Sequence, residues 1–354
     1  MKEFDEVFVD KTKYGTKLKT SDYKECGKYP IIDQGQETIA GYTDAEDGVF
    51  KEVPVIIFGD HTRVIKYVDK PFFLGADGVK VLRSKYLDAN YRYLFYALLN
   101  LKIPNTGYNR HFKWLKEAKI QYPTLKQQEK VVGILDKIEE VIAARNKQLN
   151  ALDELIQARF VELFGDPALN PNGWEKVNLG SVCDVRDGTH DSPKYFTEGY
   201  PLVTSKNVTS GRIDFTDCSL ICEEDYNKIN ERSKVDFGDI LMPMIGTVGK
   251  PVIVDVDAEF AIKNVALIKF YDDSKVINIF VRALLQSDYF DRAVISRIRG
   301  GTQKFIALGD IRKLEICLPP MATQLAFREF AHQVHKSKLV IKNLLQIYKH
   351  QIQM

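Results

Sequence analysis

A chain of 354 residues, 45% apolar and 28% charged, is long enough for two hydrophobic cores with connecting helices. Its formal charge of +2 neither demands nor excludes nucleic acid, because a small excess can conceal a basic groove opposite an acidic face. The five cysteines form no CxxC pair, and neither a signal-peptide core nor a run of about 18 apolar residues occurs. Free thiols in a soluble, cytoplasmic protein with no membrane association are expected.

From the N-terminus, EFDEVF carries Phe4 and Val7, and KYPIIDQ reads as a short strand. VPVIIFGD (53–60) is a β-branched run broken by Gly and Asp, followed by RVIKYVDKPFF. An amphipathic helix is predicted over NYRYLFYALLN (90–100), then a basic glycine-bearing loop, GYNRHFKWLK (107–116), and IQYP (120–123).

Next comes a long helix, Thr124 to Gly165. Val131, Leu135, Ile138, Ile142, Arg145, Leu149, Leu152, Ile156, Arg159 and Leu163 recur at steps of four and three, the 3.5-residue period of a coiled-coil seam. Thr124 and Gln127 have capping-box spacing, and Gly165 with Pro167 supplies the stop. Some forty residues make a rod of roughly 60 Å, and its narrow seam needs a partner helix. Arg145 and Arg159 interrupt the seam and are expected to pair with acids of the opposing helix, in preference to emerging toward a partner subunit.

The second half repeats the first. Leu179 and Val182 match Phe4 and Val7 at an offset of 175, and GYPLVTS matches KYPIIDQ at 171. GDILMPMIG (238–246) with KPVIVDVDAEF stands for the β-branched runs, and NIFVRALLQSDYF (278–290) for the amphipathic helix. RIRGGTQKFI (297–306) stands for the basic loop, and ICLP for IQYP at an offset of 196. Pro319 and Pro320 then open a second seam helix with Phe327, Phe330, Val334, Ser337, Ile341, Leu344 and Tyr348. If the helices pair antiparallel, the halves are related by an approximate two-fold, which suits a ligand with its own two-fold, such as duplex DNA.

Two variable globules, each followed by a proline and a long helix with Gln near its start (TLKQQEKV; PPMATQLAF), with LFGDP after the first helix and GGTQKF before the second, resemble the specificity subunit of type I restriction-modification systems. The resemblance covers essentially the whole chain. It implies an α+β fold of two mixed α/β target recognition domains, 1–123 and 166–318, joined by antiparallel coiled-coil helices, 124–165 and 319–354, as a pseudo-two-fold internal repeat. It implies that each globule reads half of a split site in double-stranded DNA, while the helices dock two methyltransferase subunits and restriction-translocase subunits. One departure stands out: shifted by 196, Met354 corresponds to residue 158, so the second helix is a few residues short and lacks LFGD.

No glycine-rich cofactor loop with an Asn/Asp-Pro-Pro tetrapeptide and no GxxxxGK[ST] occurs, so no catalytic residue, metal or cofactor is assigned. S-adenosylmethionine, ATP and Mg would belong to partner subunits. Asp60 and His61 in GDHTR are adjacent and, on a strand, would face opposite ways. Asp187, His190 and Asp191 in DGTHDSP read as a polar loop ahead of a metal site.

DNA readout needs Arg or Lys for phosphates and guanine and Asn or Gln for adenine edges. The candidates are Arg63, Lys66, Tyr108, Asn109, Arg110, His111 and Lys113 in the first half. In the second they are His190, Lys194, Lys206, Asn207, Arg297, Arg299, Thr302, Gln303 and Lys304. The competing readings are a coiled-coil scaffold whose globules bind protein or glycan, and a self-contained nuclease.

Overall fold

The computed structural model describes residues 1–75, 77–107, 109–208, 211–245, 250–295 and 305–352. The chain forms two compact units, Met1–Lys147 with Ile341–Met354, and Gln148–Val340.

The first unit contains β1 (Lys2–Glu3), α1 (Phe4–Val7), β2 (Phe8–Asp10), β3 (Tyr29–Ile32), β4 (Gly41–Thr43), β5 (Val55–Gly59), β6 (Ile65–Val68), β7 (Phe73–Leu74), β8 (Val79–Ser84), α2 (Tyr91–Leu99), α3 (Phe112–Lys116) and β9 (Lys119–Ile120). An antiparallel sheet has the order β2-β8-β5-β6, a second sheet the order β4-β3-β7 with β3 and β7 parallel, and β1 pairs with β9. The strand β5 shows why the unit is layered. Side chains alternate along a strand, so Ile56 and Phe58 enter a core with Phe4, Phe8 and Phe112, while Val55 and Ile57 enter another with Ile32, Phe72 and Val81. Both faces of β5 are therefore apolar, which is why its sequence is a continuous hydrophobic run.

The helix α4 (Leu125–Phe164) begins in the first unit and ends in the second. Of the expected capping box one half forms: the Gln127 side chain accepts from the Thr124 N–H at 3.1 Å and from its hydroxyl at 2.9 Å. In the first unit Arg92 on α2 reaches Asp136 at 2.6 Å and Glu139 at 2.8 Å on α4, fixing the helix against the globule.

The second unit contains β10 (Lys176–Asn178), β11 (Asp184–Asp187), β12 (Tyr200–Val203), β13 (Ser219–Ile221), α5 (Glu223–Ser233), β14 (Ile240–Pro243), β15 (Val252–Ile253), β16 (Ala261–Ile262), β17 (Val265–Lys269), α6 (Asn278–Leu285), α7 (Asp288–Ala293), α8 (Leu308–Arg312), β18 (Glu315–Cys317) and the start of α9 (Met321–Ile352). Its sheets, β11-β17-β14-β15, β13-β12-β16 and β10-β18, repeat those of the first unit strand for strand, with β12 and β16 again parallel. β14 plays the part of β5, with Ile240 and Met242 on one core and Leu241 on the other.

Two departures from the sequence reading have local causes. The helix expected over 278–290 is two helices, because the Ser287 hydroxyl donates to the Leu284 carbonyl at 2.6 Å and caps α7. The helix α5 has no counterpart among the described residues of the first unit and accounts for part of the drift in offset.

Within the second unit α4 and α9 run antiparallel: Asp153 bonds Lys338, Arg159 lies 5.7 Å from the Phe330 ring, and Phe164 packs on Phe327. On the seam, Leu135 through Leu163 are shielded at the predicted 3.5-residue spacing, whereas Val131 and Ser337 are exposed. Arg159 departs from its expected pairing. Its ion pair is with Glu162 of its own helix, and the opposing helix offers it an aromatic face. The helix α4 stops at Gly165, whose φ of +70° leaves a Cβ no room against Pro171.

Candidate nucleic-acid interface

In the first unit three separate sequence segments assemble into one loop cluster. The turn after β5 is locked from two directions. The Asp60 carboxylate accepts from the Phe112 N–H at 2.8 Å, and the Asp60 carbonyl accepts from the His111 N–H at 2.7 Å and from its ring Nδ1 at 3.0 Å. Gln34 ties in the loop after β3: its Oε1 accepts from the His61 N–H at 3.1 Å, its Nε2 donates to the Asp77 carbonyl at 3.0 Å, and its own carbonyl accepts from Thr62 at 2.6 Å. Arg63, at a φ of +61°, donates to the Ile103 carbonyl at 3.2 Å. The GDHTR turn and the GYNRHF loop are thus one structure. Asp60 and His61 lie in a turn rather than on a strand, and Asp60 serves the backbone of the neighbouring loop.

The candidates here divide by burial. His111 is fully buried and spent on Asp60, so it positions the loop from within. Lys66 is buried as well, its ammonium donating to the carbonyls of Glu37 at 2.6 Å and Asp33 at 2.8 Å, and burial pulls its pKa down. Both hold loops in this structure where the sequence reading placed DNA contacts. Asn109, Arg110 and Lys113 are exposed. Asn109 donates to the Thr106 carbonyl, and the Lys113 ammonium rests 4.1 Å from the Trp114 ring. Tyr108 lies outside the described residues.

The second unit builds its cluster from the loops after β11, after β12 and between β16 and β17. His190 is the junction: Nε2 donates to the Asp187 carboxylate at 2.8 Å, and Nδ1 faces the Asn264 side-chain oxygen at 2.8 Å. Arg232, from the last turn of α5, holds Asp187 at 2.9 Å and the Gly188 carbonyl at 3.1 Å. Asn264 adopts a φ of +55°, and its N–H donates to Thr189. Gly188 has the Ile262 carbonyl where a Cβ would stand. The Lys263 ammonium donates to Ser192 at 2.6 Å. Asn207 is buried, accepting from the Thr204 N–H and hydroxyl and donating to the Asp214 carbonyl, so it too is an anchor. Lys194, Lys206 and His190 are exposed. Arg297, Arg299, Thr302, Gln303 and Lys304 lie outside the described residues. Among the described residues no group of three or more His, Cys, Asp or Glu could hold a metal ion.

Sequence reasoning missed Gln34, Arg232, Lys263 and Asn264. Asn264 had a signal, an Asn in a short connection between β-branched runs, where a left-handed residue is favoured. Gln34 and Arg232 act across tens of residues, with no local pattern to mark them.

With both ring nitrogens facing oxygens, the doubly protonated imidazole fits the site, and Asn264 followed by Asp187 raises the His190 pKa above its ordinary value of about 6.5. A raised pKa means that the tether is fully present below the ordinary value and is lost as pH rises through the folded one. An NMR titration of His190 is expected to give a pKa above that of a free histidine, with Asn264→Ala and Asp187→Asn each lowering it; a wild-type value at or below the free one would contradict the tether.

One module built twice, each copy carrying a cross-braced loop cluster with exposed basic side chains, defines a two-module protein. A family model described as "Type I restriction modification DNA specificity domain" matches residues 1–154 and 171–346, and the chain belongs to that family. It is similar to the specificity subunit of the type I restriction enzyme MjaVIII of Methanocaldococcus jannaschii, 27% identical over 293 residues, 72% of this chain and 68% of that one. It is also similar to the MjaIX specificity subunit of the same organism, 25% identical over 66% of this chain and 57% of that one. The EcoR124I/EcoR124II specificity subunit of Escherichia coli is 30% identical over 154 residues, 39% of this chain and 37% of that one. Among solved structures, the type I restriction-modification S subunit from M. genitalium aligns over 99% of this chain and 94% of its own with a TM-score of 0.52 and 16% identity. A chain from a structure addressing complex assembly and conformational transition of the type I R-M system covers 99% and 93%, at 0.54 and 19%. These likenesses establish the fold.

Proposed function

We propose that this chain is the sequence-reading subunit of a type I restriction-modification complex, each module reading one half of a bipartite site in double-stranded DNA. The single observation that carries this is the duplicated loop cluster in a chain of the specificity family. The exposed Asn109, Arg110, Lys113, Lys194 and Lys206 are the contact residues of this reading. The buried Lys66, His111 and Asn207 set the loops that carry them.

In this reading the chain performs no catalysis. Two methyltransferase subunits, with S-adenosylmethionine, and restriction-translocase subunits, with ATP and Mg, supply the chemistry and dock on the long helices. The deciding experiment is single-molecule methylation mapping of DNA from cells expressing this chain with its methyltransferase, against cells lacking it. A new modified motif in two short parts around a fixed gap is expected; no motif despite complex formation would return the scaffold reading.

Phosphate contacts make affinity fall with salt at a slope of about −0.9 per contact in log-log form. Arg110→Ala is therefore expected to weaken binding across sequences and to reduce the slope by roughly 1, in fluorescence anisotropy between 50 and 200 mM salt as an order-of-magnitude range. An unchanged slope would remove Arg110 from the phosphate contacts.

A further inference from the structure

The loop cluster of the second unit leaves its sheet at one end, and the tie to the long helix α9 is made at the other. By the register of β11, β17 and β14, Asp187, Val265 and Pro243 stand at the end that carries His190 and Asn264, and Asp184, Lys269 and Ile240 at the opposite end. Four residues of strand, about 10 Å, separate the two ends. At the second end lies the segment 274–278, which leads into α6 and is bonded to three elements. The Ser274 hydroxyl donates to the Val182 carbonyl ahead of β11 at 3.1 Å, and the Asn278 side chain donates to the Gly238 carbonyl ahead of β14 at 2.9 Å. Between them stands Gln324, in the first turn of α9. Its Nε2 donates to the Lys275 carbonyl at 2.9 Å, and its Oε1 accepts from the Ile277 N–H at 3.0 Å. Nε2 also donates to the Pro319 carbonyl at 2.9 Å, and the side chain is fully buried.

The first unit makes the same tie with different chemistry. The offset of 196 puts Gln128 at the place of Gln324, and aligning the ALLN of α2 with the ALLQ of α6 puts Tyr91 and Arg92 at those of Ile277 and Asn278. Gln128 is buried too, but its hydrogen bonding stays within the segment entering α4: Nε2 donates to the Pro123 carbonyl at 2.9 Å, and Oε1 has no hydrogen-bond partner among the described residues. Tyr91 and Arg92 make the connection instead. The Tyr91 hydroxyl accepts from the Ser84 N–H at 3.0 Å, at the end of β8 away from the GDHTR turn, while Arg92 donates to Asp136 of α4 at 2.6 Å. One module is thus gripped by a buried, uncharged amide and the other by partly exposed ions.

We propose that Gln324 is a positioning residue for DNA recognition, locking the second module onto α9 through the sheet that carries its loops. The proposal rests on the DNA-reading assignment. A buried amide with its oxygen and its N–H groups all engaged fixes direction as well as distance. Glutamine supplies an acceptor and two donors at the end of one side chain, which the Ile277 N–H and the two carbonyls require. The segment 274–278 passes the constraint to β11 and β14 through the Val182 and Gly238 carbonyls, so the loops at the far end of the sheet follow α9. The gap between the half-sites is then held to one length by this lock in the second module and by the Arg92 ion pairs in the first.

The test compares the full chain as wild type, Gln324→Leu and Gln128→Leu, with circular-dichroism melting to establish that each is folded. Amide exchange at Ile277 is expected to be at least about fivefold faster in Gln324→Leu, the effect of one lost hydrogen bond. Each chain, assembled with its methyltransferase, is then titrated by anisotropy against duplexes carrying the two half-sites from the methylation map, at the native gap and at a gap one base pair longer. The wild type should prefer the native gap. Gln324→Leu should lose at least about threefold of that preference with both half-sites unchanged, and Gln128→Leu should keep it. Should Gln324→Leu fail to fold, Gln324→Glu, which keeps an acceptor for Ile277 but has no donor for the two carbonyls, takes its place under the same criteria. The proposal is overturned if the folded variant keeps the wild-type gap preference, if Ile277 exchange is unchanged, if Gln128→Leu relaxes the gap equally, or if the half-site bases change. A wild-type chain with a slowly exchanging Ile277 amide but no two-part site would strike the DNA-reading assignment itself, and the positioning role with it.

Discussion

Phe164→Ala is expected to be among the most damaging single substitutions in the chain, lowering the stability of the second unit by about 3–5 kcal/mol, the range for deleting a buried aromatic ring. The ring is nearly inaccessible and meets Phe160, Phe280, Phe327 and Trp174, so its removal leaves a cavity among side chains that cannot collapse together. Trp174, 6.3 Å from that ring, is a built-in reporter for denaturant unfolding. The contrast with the first unit sharpens the test. Val131→Ala, at the position matching Phe327 but partly exposed, should cost under about 1 kcal/mol. Equal losses at the two sites would mean that burial does not set the cost at these helix positions.

The second large effect concerns the long helices, which both pass from one unit into the other. Inserting one heptad after Lys147 in α4 and another after Val340 in α9 preserves the seam, because a seven-residue insertion returns every apolar position to its place. At about 1.5 Å per residue, seven residues add roughly 10 Å, the length of about three base pairs of DNA. Under the proposed function, methylation mapping of such a variant should show the same two half-sites around a gap about three base pairs longer. Altered half-sites, or an unaltered gap, would sink the role of the helices as a spacer.

What could be read in the sequence was whatever leaves a periodic or positional trace. The heptad seam from Leu135 to Leu163 and the order of strands in the two copies both rest on local spacing, and the matching sheets follow from it. The parallel β3–β7 and β12–β16 pairings left no such trace, because a parallel partner is chosen by the tertiary fold. Composition marked the first basic loop but could not tell its buried braces from its exposed side chains. His111 and Lys66 resemble surface readers in sequence, yet each finds backbone carbonyls that only folding brings near. Arg159 was placed on the seam correctly, while its aromatic neighbour Phe330 became visible only when the two helices were set side by side.

The braces within the loop clusters are largely contacts to main-chain atoms: the Asp60 carboxylate and carbonyl hold the 111–112 backbone, Lys66 holds two carbonyls, and Arg232 holds the Gly188 carbonyl. Main-chain atoms are the same whatever side chain they carry. Exposed positions such as Arg110 and Lys194 can therefore be exchanged without loosening the frame that presents them. The frame thus depends on a small set of bracing side chains, Asp60, Lys66 and Arg232 among them, and leaves the exposed positions around them free of any duty to the fold.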